Sequence, residues 1–260
     1  MSQPTISPSK DLRAVDGMMA DLFMYQDPKY LMPEYQELID ASKVNQKLVA
    51  RYIELLSNVS FALKRVLRYK KYFEMFYPAS DEIGEIEALN HHIYAYLEDM
   101  ETLKNKLEVL LGTAKNDIKA VAINKVEVEN FFDAAVEKTK KVFAQVSANR
   151  DPHRHKGRRF MDGDLLKAEN ADEFLKQLTN PVIDAMLNQG YKPTLVSKFS
   201  KEKQESFTTA KARWVKMAES NNAQVTGYLD AVIEHIQPMI YDFLRVQNVR
   251  QLISISKKDE

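Results

Sequence analysis

Residues 34–77 read EYQELIDASKVNQKLVARYIELLSNVSFALKRVLRYKKYFEMFY and contain neither proline nor glycine. Apolar or aromatic residues fall at Ala41, Leu48, Tyr52, Leu55, Val59, Ala62, Val66, Tyr69, Phe73 and Phe76, in steps that alternate between three and four once Asn45 is counted as filling one slot. That period lays one apolar stripe along an α-helix. Unbroken, the helix would reach about 60 Å at 1.5 Å per residue. Pro78 ends it, because proline lacks a backbone donor and restricts the residue before it.

The same period continues downstream. Residues 81–111 carry Ile86, Leu89, Ile93, Tyr96, Met100, Leu103, Leu107 and Leu110, with Gly112 placed to stop the helix as its C′ residue. A third helix is expected over 114–148 on Val121, Val128, Phe132, Ala135, Val142 and Val146, followed by a loop over 149–163. Beyond it, Asn170 with Glu173 reads as a capping pair, and Asn180-Pro181 opens a helix that closes at Gly190. Phe207, Ala210, Trp214 and Met217 indicate one more helix. Val225, Leu229, Val232, Ile236 and Ile240 indicate another, kinked or split at Pro238. Upstream, four of the nine prolines lie in the first 33 residues, so the Met- and Tyr-rich stretch 18–35 reads as an arm with short helical pieces, lying on the body of the protein or on a second copy. The expected fold is an all-α antiparallel bundle: an arm over 1–35, the bundle over 36–163, and C-terminal helices over 164–260 packing on it.

Composition narrows the chemistry. Seven glycines in 260 residues are few for a chain of tight β-turns, which favours helix. The absence of cysteine excludes disulfides, thiolate zinc sites, iron–sulfur clusters and a cysteine nucleophile. Lys plus Arg equals Asp plus Glu at 37 each, so no global field draws in nucleic acid or anionic lipid. Residues 1–10 lack an apolar leader segment and no uncharged apolar run approaches membrane-spanning length; a cytoplasmic protein without membrane contact is expected. No Glu-x-x-His, His-Glu-x-x-His, phosphate-cradling glycine loop or Gly-x-Ser-x-Gly elbow occurs, and neither a metal nor a cofactor is expected. His91 and His92, after Glu87, read as helix-surface histidines, since adjacent positions diverge by about 100°.

One segment departs from this neutrality. Asn149-Arg150-Asp151-Pro152-His153-Arg154-His155-Lys156-Gly157-Arg158-Arg159 carries five Lys or Arg against one Asp over 150–159, a local net of +4 that leaves the remainder at −4. Two of the five histidines sit within it. Arginine forks bind phosphate oxygens bidentately and an imidazole transfers protons near neutral pH, so a phosphate ester is the natural ligand, with Arg154, Lys156, Arg158 and Arg159 as phosphate contacts. Pro152 is expected to interrupt helix here. Asp151 could then cap a new helix with Pro152 at N1, which Gly157 would limit to about one turn.

Arg150, the polar Asp151, three residues and His155 resemble the Arg-polar-x(3–5)-His motif of the HEPN family, helical domains of toxins, phage-defence systems and CRISPR-associated ribonucleases. The resemblance covers those six residues and the helical context over 81–163. It implies a homodimer in which Arg and His of two protomers meet and cleave RNA without metal, the 2′-hydroxyl attacking the adjacent phosphate. By position, Arg150 would stabilise the phosphorane, His155 would move protons and Asp151 would support them. The competing expectation is a catalytically silent helical scaffold with a partner protein. A second basic stretch, Lys64, Arg65, Arg68, Lys70 and Lys71 with Tyr69, Tyr72 and Phe73 between, could contact single-stranded RNA by stacking. It reads more simply as the wet face of a helix whose aromatics point into a core.

Overall fold

The computed structural model describes residues 13–30, 33, 36, 44–75, 77, 83–156, 162–187 and 190–246, with side chains given for all of these except Tyr30 and 145–156. Seven α-helices and one short 3-10 turn, Pro28–Tyr30, account for most of the described residues, and no strand occurs among them. The helices are α1 (Ala14–Gln26), α2 (Gln46–Met75), α3 (Glu85–Val121), α4 (Lys125–Lys156), α5 (Gly163–Leu178), α6 (Pro181–Met186) and α7 (Lys192–Leu244). The protein is all-α, as the three-four stepping requires.

Caps, more than glycines or prolines, decide where these helices start. Asn45 does not continue the stripe of α2 but begins it: its Oδ1 accepts from the Lys47 and Leu48 amides at 3.1 and 3.3 Å. The helix is therefore 30 residues, about 45 Å. Gly112 does not end α3, which runs on to Val121; a glycine inside a helix costs about 1 kcal/mol, less than abandoning the burial of Ala114 and Ile118 beyond it. The turn comes instead at Asn124, whose Oδ1 accepts from the Glu127 amide at 3.2 Å while its Nδ2 donates to Glu127 Oε2 at 3.0 Å. Likewise Asp162, not Asn170, caps α5, accepting from the Asp164 and Leu165 amides. Asn180 and Pro181 do open α6, with Asn180 Oδ1 accepting from the Val182 amide at 3.0 Å; the helix closes at Met186, before Gly190. The two C-terminal helices expected, one on Phe207 to Met217 and one on Val225 to Ile240 kinked or split at Pro238, are one, the 53-residue α7. Proline removes one hydrogen bond, but Ile236 and Ile240, both wholly buried, hold the helix on either side of it.

The chain divides into two compact units that do not follow chain order. The first comprises Met1–Lys64, Thr102–Phe143 and Gln224–Glu260. Its core is mainly aliphatic: Val49, Leu56, Val59, Leu103, Leu107, Leu110, Leu229, Ile233 and Ile236 are all buried, with the rings of Tyr52, Phe132 and Phe143 among them, each such aliphatic side chain contributing about 1.5–3 kcal/mol. The arm is part of this unit, with Val15, Met18, Leu22 and Tyr25 of α1 buried. Polar contacts fix it there: the Ala14 amide donates to Asp230 at 3.1 Å, Ser60 Oγ to Asp16 at 2.6 Å and the Tyr241 hydroxyl to Asp21 at 2.8 Å.

The second unit comprises Arg65–Glu101 and Ala144–Ala223. Its core joins a cluster of rings to buried Val66, Leu89, Ile93 and Leu97. Phe73 lies 5.7 Å from Tyr96 and 5.9 Å from Trp214, centroid to centroid, and Tyr69 lies 5.4 Å from Tyr96. Alanines 168, 210 and 218 are wholly buried in the same core, where small side chains leave room for large ones.

Candidate functional site

Arg150, Asp151 and His155 sit at the C-terminal end of α4. This helix is opened by the Asn124–Glu127 pair and held down by Val128, Phe132 and Phe143, which are buried on one face. Thr139 is wholly buried too, with its Oγ1 2.7 Å from the Tyr228 hydroxyl. The helical backbone then continues through Pro152 to Lys156. The expected loop is thus helix over 149–156, and the restart at Asp151 does not occur. One interior proline costs a helix one hydrogen bond, and the cations at 150, 154 and 156 oppose that loss, since positive charge in the last turns complements the carbonyl end of the dipole.

Continuous helix fixes the register of the motif. Arg150 and Arg154 are one turn apart, as are Asp151 and His155, so each pair shares a face at the backbone level. Arg150 and His155 are separated by about 7.5 Å along the axis and about 140° around it. The side chains of Arg150, Asp151, Arg154, His155 and Lys156 lie outside the described part, and Arg158 and Arg159 lie outside the described residues altogether.

The second basic stretch is fully described, and three of its five cations are held in ion pairs. Tyr69 and Phe73 are buried, and the Tyr69 hydroxyl donates to Asp99 Oδ2 at 2.8 Å. Burial first, then the bond to Asp99 and its charge, push that phenol far above its ordinary value. Arg65 pairs with the other oxygen of Asp99 at 2.7 Å, Lys64 with Asp16 at 3.2 Å and Lys70 with Glu219 at 2.8 Å. Neither Tyr69 nor Phe73 is open to stack on a base. Of the two adjacent histidines expected on the helix surface, only His91 is exposed; His92, about 100° around α3 from it, is buried, stacked on Tyr72 at 5.8 Å and edge-on to Tyr77 at 6.1 Å. Among the described residues no group of three or more His, Asp or Glu side chains is placed to hold a metal ion, and no helix is long and apolar enough to cross a membrane.

Two features escaped the sequence reading. A polar cavity of about 510 Å³ lies in the second unit against the start of α3, α5 and α7. Its wall bears Glu85, Glu87, Glu169, Asp172 and Glu173 against Lys176 and Lys203, an excess of three negative charges that repels phosphate. Asp172 accepts from Lys203 at 2.6 Å and pairs with Lys176 at 2.9 Å; burial works against its ionisation, but these lysines outweigh it and hold the carboxyl below its ordinary range. The only sequence trace of this arrangement is the Asp172–Lys176 spacing of four. The second feature is an apolar slot in the first unit. No protein-family model, curated protein or solved structure matches the chain.

Proposed function

We propose that the chain is an HEPN-like, dimeric RNA-binding protein that cleaves RNA without a metal through the C-terminal end of α4. The observation that carries this reading is the concentration of five cations and two histidines over 150–159 in a chain whose net charge is zero. The register supports the dimer: with about 140° between Arg150 and His155 on one helix, a phosphate served by both calls for His155 of one copy and Arg150 of the other. In the reaction, His155 takes the proton of the 2′-hydroxyl as its oxygen attacks phosphorus. Arg150 neutralises the phosphorane, the P–O5′ bond breaks, and the 5′-oxygen leaves with the proton that His155 took up, giving a 2′,3′-cyclic phosphate and a 5′-hydroxyl. Arg154, Lys156, Arg158 and Arg159 hold flanking phosphates, and Asp151, one turn from His155, supports its protonated form.

Fluorescence anisotropy with single-stranded RNA tests the binding. Affinity should fall steeply with salt, and Arg150→Ala should weaken it and flatten the salt dependence by about one phosphate contact. Affinity that ignores both salt and Arg150 would refute the reading. A second reading, a catalytically silent scaffold, is favoured by α6, which buries no residue and leaves Val182 and Met186 exposed one turn apart. Protein that neither binds nor cuts RNA while dimeric would select it.

A further inference from the structure

An apolar slot of about 250 Å³ opens in the first unit between α4 and α7. It exists because alanine occupies three of its walls: Ala134 and Ala135 on α4 and Ala231 on α7. These leave the ring of Phe131 partly exposed, and the buried ring of Tyr228 and wholly buried Ile236 contribute apolar surface to the same slot. The Tyr228 hydroxyl is committed elsewhere, donating to Ala135 O at 2.9 Å beside Thr139, so the phenol offers the slot its ring and not its oxygen.

The two ends of the slot are polar and unlike each other. At one, Lys138 Nζ stands 5.8 Å from the centroid of Tyr228, and among the described residues no carboxylate pairs with it. The acids nearest along α4 are taken: Asp133 by Lys115 and Glu137 by Lys140, at 2.8 and 2.7 Å. At the other end, His235 Nδ1 lies 2.6 Å from Ala231 O. A carbonyl only accepts, so Nδ1 carries the proton and Nε2 of the neutral ring is left as an acceptor. Glu234 is turned about 100° around α7 from His235.

We propose that this slot binds a single-ring aromatic carboxylate, with its ring over the alanines, its carboxylate on Lys138 and a ring hydroxyl on His235. Size agrees: an apolar cavity of about 150 Å³ takes up benzene, so 250 Å³ accommodates a ring with short substituents. Shape agrees as well, since Phe131 and Lys138 are seven residues, about 10 Å, apart along α4, a span that a ring substituted at both ends covers. Charge selects the acid, because an unpaired ammonium at the rim of an apolar slot favours an anion over its neutral analogue. The site is independent of the RNA reading.

Saturation-transfer NMR on the full chain, with 4-hydroxyphenylacetate and 4-hydroxyphenylacetamide as probes, tests it. Transfer to the ring protons of the acid is expected. It should vanish in Ala231→Leu, a substitution at an exposed position that fills the slot without entering the core. Lys138→Gln should weaken the acid about fivefold and leave the amide unchanged. No transfer at millimolar acid, equal transfer in Ala231→Leu with an unchanged melting temperature, or equal weakening of acid and amide by Lys138→Gln would each overturn the proposal.

Discussion

The two compact units solve the same packing problem with different side chains. In the first, Leu, Ile and Val supply most of the wholly buried positions, and the alanines at 134 and 231 lie exposed beside an open slot. In the second, Tyr69, Phe73, Tyr96 and Trp214 form one ring cluster beside buried Leu89 and Ile93, and the alanines at 168, 210 and 218 are wholly buried in the same unit. Aliphatic packing is set by volume and tolerates some repacking, whereas the ring core also depends on directional bonds. Trp214 shows this: its indole N–H donates to Asp162 Oδ2 at 2.9 Å, while Arg213 donates to Asp162 Oδ1 and, at 2.6 Å, to Asp164. One carboxylate thus caps α5 and anchors the largest ring of the core.

The contrast can be broken by substitution. The largest effect is expected in the aliphatic unit from Leu103→Asp, which puts an unpaired charge at a wholly buried position and should cost about 4–5 kcal/mol in urea unfolding. Unchanged stability would show that this face of α3 is not core. Trp214→Ala should cost about 3–5 kcal/mol, and Trp214→Phe should recover much of that because it restores the ring without the N–H. Full recovery by phenylalanine would mean that the bond to Asp162 adds nothing.

Asp162→Ala should cost about 1–2 kcal/mol as the loss of a cap. It also carries a pH signature. Burial opposes the charge on Asp162, but the Leu165 amide, Arg213 and Trp214 outweigh it and hold the carboxyl below its ordinary range. A group whose folded value is depressed stabilises the fold above its unfolded value, near about pH 4, and loses that contribution as pH falls through the lower folded value. The stability difference between the wild type and Asp162→Asn should therefore shrink on acidification below about pH 4; a difference constant with pH would contradict the assignment. The smallest effect belongs to the first unit, where Thr139→Val removes one partner of Tyr228 and should cost about 1 kcal/mol.

Helical period was legible in the sequence because burial imposes it: Tyr52, Val59, Val66, Tyr69 and Phe73 are buried where the spacing places them. Helix ends were less legible, because they depend on competition between local signals. Gly112 and Pro238 were overridden by the burial that continues beyond them, while Asn124 and Asp162 acted as caps although neither precedes an uninterrupted apolar run. The backbone of α4 likewise passes through Pro152, which changes the geometry of the motif from loop to helix. The charge cluster was visible as composition alone. The slot between α4 and α7 was not, since an alanine lining a cavity and an alanine under a ring read identically in a sequence.

Whether the end of α4 cleaves RNA, as proposed, is decided by incubating single-stranded RNA with the protein in excess EDTA and analysing the product ends. The wild type should leave 2′,3′-cyclic phosphate ends. His155→Ala should cut at least about 100-fold more slowly at nearly unchanged RNA affinity, because general acid–base catalysis contributes about 10²- to 10⁴-fold. Cleavage by His155→Ala at the wild-type rate, or no cleavage by the dimeric wild type of any RNA in a random pool, would contradict the proposal.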